Sequence, residues 1–109
     1  MLKTRKEILD YALSFPDVYF DIPFHDPNWQ VVRHKGNNKV FVWTFERAGH
    51  IWINLKCNPD DAYFLRNSNS SILPAYHMNK LHWNSIVLDG RVDDEMVMRL
   101  VVISYELTA

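Results

Sequence analysis

Apolar residues recur at Ile8, Leu9, Ala12 and Leu13, the spacing of one helix face. Just before them, Thr4 to Glu7 reads Thr-Arg-Lys-Glu, a capping-box pattern. Pro16 ends this helix near Ser14, because the residue before a proline is pushed out of helical backbone. The period then changes from helical to alternating. Residues 29–34, 39–45 and 50–56 alternate and are rich in β-branched and aromatic side chains, which predicts three strands of a meander. Lys35-Gly36-Asn37-Asn38 and Glu46-Arg47-Ala48-Gly49 supply the turns, since Gly and Asn tolerate positive φ. Residues 18–24 are apolar and aromatic, with Pro23 near their end, and read either as a short edge strand or as an extended loop.

Asn58 is a good helix cap, Pro59 suits the first helical position, and Asp60 and Asp61 suit the positive pole of the dipole. The spacing predicts a second helix over 59–66, then a polar loop over 67–71. Strands follow at 72–76 and 84–88, with Asp89-Gly90 turning after the second. Asp93 caps a last helix whose faces are marked by Met96, Val97, Leu100, Val101, Ser104 and Tyr105. The order is helix, three or four strands, helix, two strands, helix. That order predicts an α+β two-layer sandwich, an antiparallel sheet with helices mainly on one face. The length, 109 residues, suits a single domain over the whole chain.

The middle strands have two apolar faces. A four-residue loop at 46–49 places Trp43 opposite Trp52, and a two-residue loop at 48–49 places Phe45 there. Both registers partition the side chains alike. Val40, Val42, Thr44, Ile51, Ile53 and Leu55 fall on an aliphatic face; Phe41, Trp43, Phe45, His50, Trp52 and Asn54 fall on the other. The aliphatic face is the floor for the helices. The aromatic face is covered by other parts of the chain, forms a dimer interface, or binds a ligand such as nucleic acid. Phe41, Trp43, Phe45 and Trp52 are its candidate contact residues.

Composition narrows the functional classes. A net charge of −1 removes the case for a strongly basic nucleic-acid binder. A local cluster remains: Arg33, His34, Lys35 and Lys39 at one hairpin tip, which Lys56, Lys80, His82 and Arg91 extend if the fold brings them near. The alternative is a solvated turn. One cysteine, Cys57, cannot close an intramolecular disulfide, and the charged N-terminal stretch has no apolar signal core, so a reducing, cytoplasmic setting is expected. Cys57 follows a lysine and precedes a helix start, two features that lower a thiol pKa, though an inert buried thiol is the default. His77 and His82 are five apart and lack a third ligand at matching spacing, so no metal is expected. His25-Asp26 has no nucleophile beside it and reads as a turn. No phosphate-binding glycine loop is present, no catalytic set emerges, and no cofactor or membrane span is expected.

Several runs together carry a family resemblance. Arg33-His34-Lys35 before Lys39-Val40-Phe41 is one, and Ile53-Asn54-Leu55-Lys56-Cys57 before a helix is another. Ile72-Leu73-Pro74-Ala75-Tyr76-His77-Met78-Asn79-Lys80 then leads to His82-Trp83-Asn84-Ser85-Ile86, and Ser104-Tyr105-Glu106-Leu107 closes the chain. The chain resembles the MmcQ/YjbR family over nearly its whole length, most specifically across 74–83. The resemblance implies a CyaY-like or secretion-chaperone-like α+β fold, bacterial origin and a cytoplasmic setting. It also brings a suggested DNA-binding role through a helix flanked by wing-like elements, which is an analogy of fold. Frataxin-like iron binding would need a row of carboxylates on the first helix, where only Glu7 and Asp10 stand. Two expectations follow. One is a weak, salt-sensitive DNA-binding module using Arg33, His34, Lys35, Lys39, Lys80 and His82. The other is a protein-interaction or homodimerisation module using the aromatic face.

Overall fold

The computed structural model describes residues 2–109. Thr4 caps α1 (Arg5–Leu13) with both bonds of the capping box, and Ser14 closes it. An edge strand β1 (Val18–Asp21) follows, then β2 (Gln30–His34), β3 (Val40–Arg47) and β4 (His50–Lys56). Asn58 accepts the Asp60 amide to start α2 (Pro59–Ser68). Two short strands, β5 (Ile72–Pro74) and β6 (Trp83–Val87), precede α3 (Asp94–Thr108), which Asp93 caps. Of the two readings of residues 18–24, the edge strand is the one formed, so four strands precede α2. All six strands make one antiparallel sheet in the order β1-β2-β3-β4-β6-β5.

Ala48 and Gly49 close the β3–β4 hairpin, with φ of 54° and 80°. Two successive left-handed residues fit the right-handed twist of the strands they join. This two-residue turn pairs Phe45 with Trp52 and Thr44 with Ile53. The partition of faces therefore holds from Val42 to Leu55. It fails at the start of β3. There Val32 pairs with Val42 but Arg33 with Val40, so Phe41 is the extra residue of a bulge. Phe41 turns to the helix side and is fully buried against Phe15, His34 and Tyr105. Val40, paired with Arg33, stays out of the main core. Phe41 is therefore not part of the aromatic face, and Val40 is not part of the helix floor.

The main core lies between the sheet and the helices. Ile8 and Ala12 of α1 and Val97, Leu100 and Val101 of α3 meet Val32, Val42, Ile53, Leu55, Ile72 and Ile86. Leu65 of α2 packs against the same cluster. Each fully buried aliphatic side chain contributes about 2–3 kcal/mol by leaving water. A smaller cluster sits on the other face: Phe45, Trp52 and Val87, with Trp29, Leu73 and Tyr76 against them. Among the described residues no helical one belongs to it.

Candidate functional site

Two loops rather than helices close the outer face. The first, residues 22–29, joins β1 to β2; the second, residues 75–82, joins β5 to β6. Each is pinned by a polar clamp. Asn28 accepts the Glu46 amide at 2.8 Å and donates to the Glu46 carbonyl at 3.1 Å, so its side chain mimics a strand neighbour. Arg5 reaches over from α1 to the Asn28 carbonyl and side-chain oxygens at 2.7 and 2.9 Å. On the second loop, the Tyr76 amide donates to the Ser85 hydroxyl at 2.9 Å, and Ser85 donates to Asn54. The Asn54 amide donates to the Tyr76 carbonyl at 3.0 Å. Asn54 and Ser85 are fully buried cross-strand partners, so a polar pair in the sheet holds the loop's backbone. Arg66 of α2 ties down the loop's end through Asn84, Lys80 and Trp83.

These clamps set aromatic rings in a continuous series. Trp29 stacks on Phe45 at 4.4 Å, Phe45 on Tyr76 at 5.6 Å, and Arg47 lies over Tyr76 at 4.4 Å. In the other direction Trp29 meets Trp43 edge-on at 6.2 Å, and Trp43 stacks with Phe24 at 6.1 Å. Between the loops lies a cleft of about 340 Å³, lined by Phe24, Trp29, Trp43, His77 and Met78. That volume is in the range of small-ligand sites. Phe24 is 53% exposed at its rim. Behind the cleft surface the Trp43 indole N–H is cut off from solvent and has no acceptor among the described residues, a cost of about 1–3 kcal/mol. His77 holds a left-handed backbone, φ 60°, at the cleft wall; such strain in a non-glycine residue collects at ligand sites.

Of the four aromatic-face candidates, only Trp43 lines this cleft. Phe45 and Trp52 are on the face but covered, 1% and 8% exposed, beneath Trp29, Tyr76 and Arg47. Coverage by other parts of the chain was one of the three readings of this face, and it accounts for those two rings, through Trp29 and Tyr76. Of the cleft residues, Phe24, Trp29 and Met78 were not singled out from the sequence, and His77 was weighed only as a metal ligand with His82. The aromatic density of residues 20–29 was the available signal; the left-handed His77 had none.

The basic cluster divides. His34 is buried, with Nε2 2.8 Å from the Thr108 hydroxyl and its ring against Phe41 and Tyr105. Thr108 donates its own proton to the Ser104 carbonyl, so Nε2 of His34 is the donor. Burial pushes the His34 pKa down. His34 therefore cannot meet a phosphate. Alternation explains this, since His34 shares the inward face of β2 with Val32. Arg33 points outward but is committed to Asp21 at 2.9 Å and to the Asn38 carbonyl. Lys35, Lys39 and Lys80 are exposed, and Lys56 is half-buried. Among the described residues none of the four has an ion-pair partner. The registers place the hairpin tip, the end of β4 and the start of β6 at one end of the sheet, which groups Lys35, Lys39, Lys56 and His82. Lys80 stands just before β6. Arg91 is apart, tied to Asp89 and Ser70 beyond the other end of β6.

The remaining chemistry is structural. Cys57 is buried, and burial raises its pKa, so the neighbouring helix start does not make it a thiolate. Asp26 accepts the Asn28 amide at 2.9 Å in an Asx turn. Among the described residues no three His, Cys, Asp or Glu groups converge to hold a metal ion, and no helix is long and apolar enough to cross a membrane.

The YjbR family model matches residues 13–107. The chain belongs to the YjbR family. An uncharacterised YjbR protein of Escherichia coli K12 is 30% identical, over 94% of this chain and 85% of its own length. An uncharacterised YyaQ protein of Bacillus subtilis 168 is 34% identical, over 96% and 98%. Among solved structures, a Pseudomonas syringae protein superposes with a TM-score of 0.86 at 30% identity, covering 97% of this chain and 99% of that one. A Deinococcus radiodurans protein with a DUF419 domain gives 0.88 at 28% identity, covering 97% and 78%. The two solved structures thus share the overall fold described above, and these relatives are bacterial.

Proposed function

We propose that this chain binds single-stranded nucleic acid on its helix-free face, with bases stacked in the ring cleft and phosphates on the lysine end. The observation that carries this reading is the cleft itself: a ring-lined slot held open by polar clamps on a face that no helix covers. Rings stack on any base, because every base has a π-face. Trp43 stands on β3, with Lys39 just before the strand and beyond its bulge, and Arg47 at the strand's end, about 13 Å along the extended strand from Trp43. A cation on either side of a stacking ring suits a chain of bases linked by phosphates. A duplex would hide its base faces. Asp17 and Glu106 lie at the lysine end as well, so the patch is weakly basic and affinity is low.

A salt titration with short single- and double-stranded DNA tests this. Four phosphate contacts give a slope of about −3 in log K against log salt for a single strand. Replacing Lys35, Lys39 and Lys80 with Ala should flatten that slope without changing the melting temperature. Equal binding to duplex, or none at low salt, would count against the reading.

One observation favours self-association, at the sheet edge rather than over the aromatic face. β1 pairs only with β2, and Phe20 and Ile22 beside its open edge are 42% and 43% exposed. Light scattering would show a dimer that Phe20→Glu dissolves; a monomer at high concentration would exclude it.

A further inference from the structure

A second hollow adjoins the ring cleft. It measures about 230 Å³ and shares Trp29 and His77 with the first. Arg47 lines it beside Phe45 and Tyr76. The guanidinium carbon sits 4.4 Å from the Tyr76 ring centroid and 4.8 Å from that of Trp52. Stacking of this kind fixes the plane of an arginine while its N–H edges stay free for an anion. Among the described residues Arg47 has no carboxylate within ion-pair distance, unlike Arg33, Arg91 and Arg99. Asp26 and Glu46 line the same hollow, but both act on Arg5, and Asp26 also holds the Asn28 amide. His50 pairs with Arg47 across the hairpin and stands at the same end of the sheet. The local charge of Asp26, Glu46, Arg5 and Arg47 sums to zero, so an anion would be held here by directed hydrogen bonds and not drawn in by the field.

We infer that Arg47 takes the phosphate of the nucleotide whose base stacks against Trp29 and Trp43. This rests on the single-strand reading, and it gives the strand a fixed point at the hairpin end of β3, opposite the lysines. The guanidinium offers two parallel donors to two phosphate oxygens, which a lysine cannot do.

The test is tryptophan fluorescence of the intact protein at low ionic strength, titrated with adenosine, adenosine monophosphate and a five-residue deoxyadenosine strand. The monophosphate should bind about tenfold tighter than adenosine, the worth of a charge-assisted hydrogen bond. Arg47→Gln should erase that preference and leave adenosine binding unchanged, and Arg47→Lys should restore only part of it. The pentamer should bind tighter than the monophosphate. Equal affinity for adenosine and its monophosphate, or a preference that survives Arg47→Gln, would overturn the anchor while stacking stands. A monophosphate as tight as the pentamer would assign the hollow to a free nucleotide and overturn the strand. No binding of any of the three would overturn the stacking reading itself. Arg47 is exposed, so its variants should keep the native melting temperature; if Arg47→Gln does not, the comparison of Arg47→Lys with the native chain decides.

Discussion

On the inner face of the sheet Val42, Ile53 and Ile86 meet three helices; on the outer face Phe45, Trp52 and Val87 meet two loops. The inner contacts are mainly aliphatic, with Phe41, Phe15 and Tyr105 as an aromatic corner. The outer contacts are aromatic, and the loops that make them are held by Asn28, Asn54 and Ser85. Stability and binding are thereby divided between the faces. A face closed by helices can lose a side chain only by creating a cavity. A face closed by clamped loops keeps a ring-lined opening without a large unfilled core. The comparison teaches that the number of aromatic residues on a strand is a poor guide to its exposure: Phe41 is buried among Phe15, His34 and Tyr105 on the inner face, and Phe45 and Trp52 are buried together beneath the outer loops.

The sharpest way to break this division is on β3, where the two faces alternate. Phe41→Ala should cost about 3–5 kcal/mol in chemical denaturation, as for any fully buried core phenylalanine. Trp43→Leu, two residues away, should cost far less. If the two variants were equally damaging, the outer face would be core rather than site. A smaller effect is expected at the clamp. Ser85→Ala leaves the buried Asn54 oxygen and Tyr76 amide without their partner, about 1–3 kcal/mol. Amide exchange should locate that loss at Tyr76 and the residues around it, with the inner strands still protected.

Much of this architecture was legible along the chain. Caps at Thr4, Asn58 and Asp93 and the periods between them fixed the element order, because caps and periodicity are local. The bulge was not legible. It depends on how β2 and β3 pair, and a single extra residue sent Phe41 to the helices and Val40 away from them. The burial of His34 could have been read from its alternation with Val32, had the basic run not drawn attention to charge. Arg66 bridging to Asn84, Lys80 and Trp83 could not, since no pattern links residues so far apart.

Two smaller effects sharpen the account. Ala48 holds φ 54° in a turn that favours Asn or Gly, so Ala48→Asn should raise stability by up to about 1 kcal/mol. Three groups shape the acid side: His34, Glu7 and Asp89, whose carboxylate, against the raising effect of burial, is held below its ordinary range by the Arg91 amide and the Ser71 hydroxyl. His34 is kept neutral by burial, with its folded pKa below the unfolded value of 6.5. Its contribution is therefore complete above pH 6.5 and is lost as the pH falls through the folded pKa. Glu7 is lowered from 4.5 to about 2 by its bonds to Thr4, so its stabilisation fades between those values. Melting temperatures from pH 8 to pH 2 should decline in two stages. His34→Asn should remove the first, and Glu7→Gln should shrink the second, leaving the part that Asp89 carries.

The central claim is that the helix-free cleft is where this protein meets its ligand. Fluorescence anisotropy of a labelled five-nucleotide single strand, with native protein and Trp43→Leu at equal fold stability, tests it most directly. The account predicts salt-sensitive binding that Trp43→Leu weakens by about tenfold, the worth of one stacked base. Binding that is unchanged in Trp43→Leu, or absent at low salt, would contradict it.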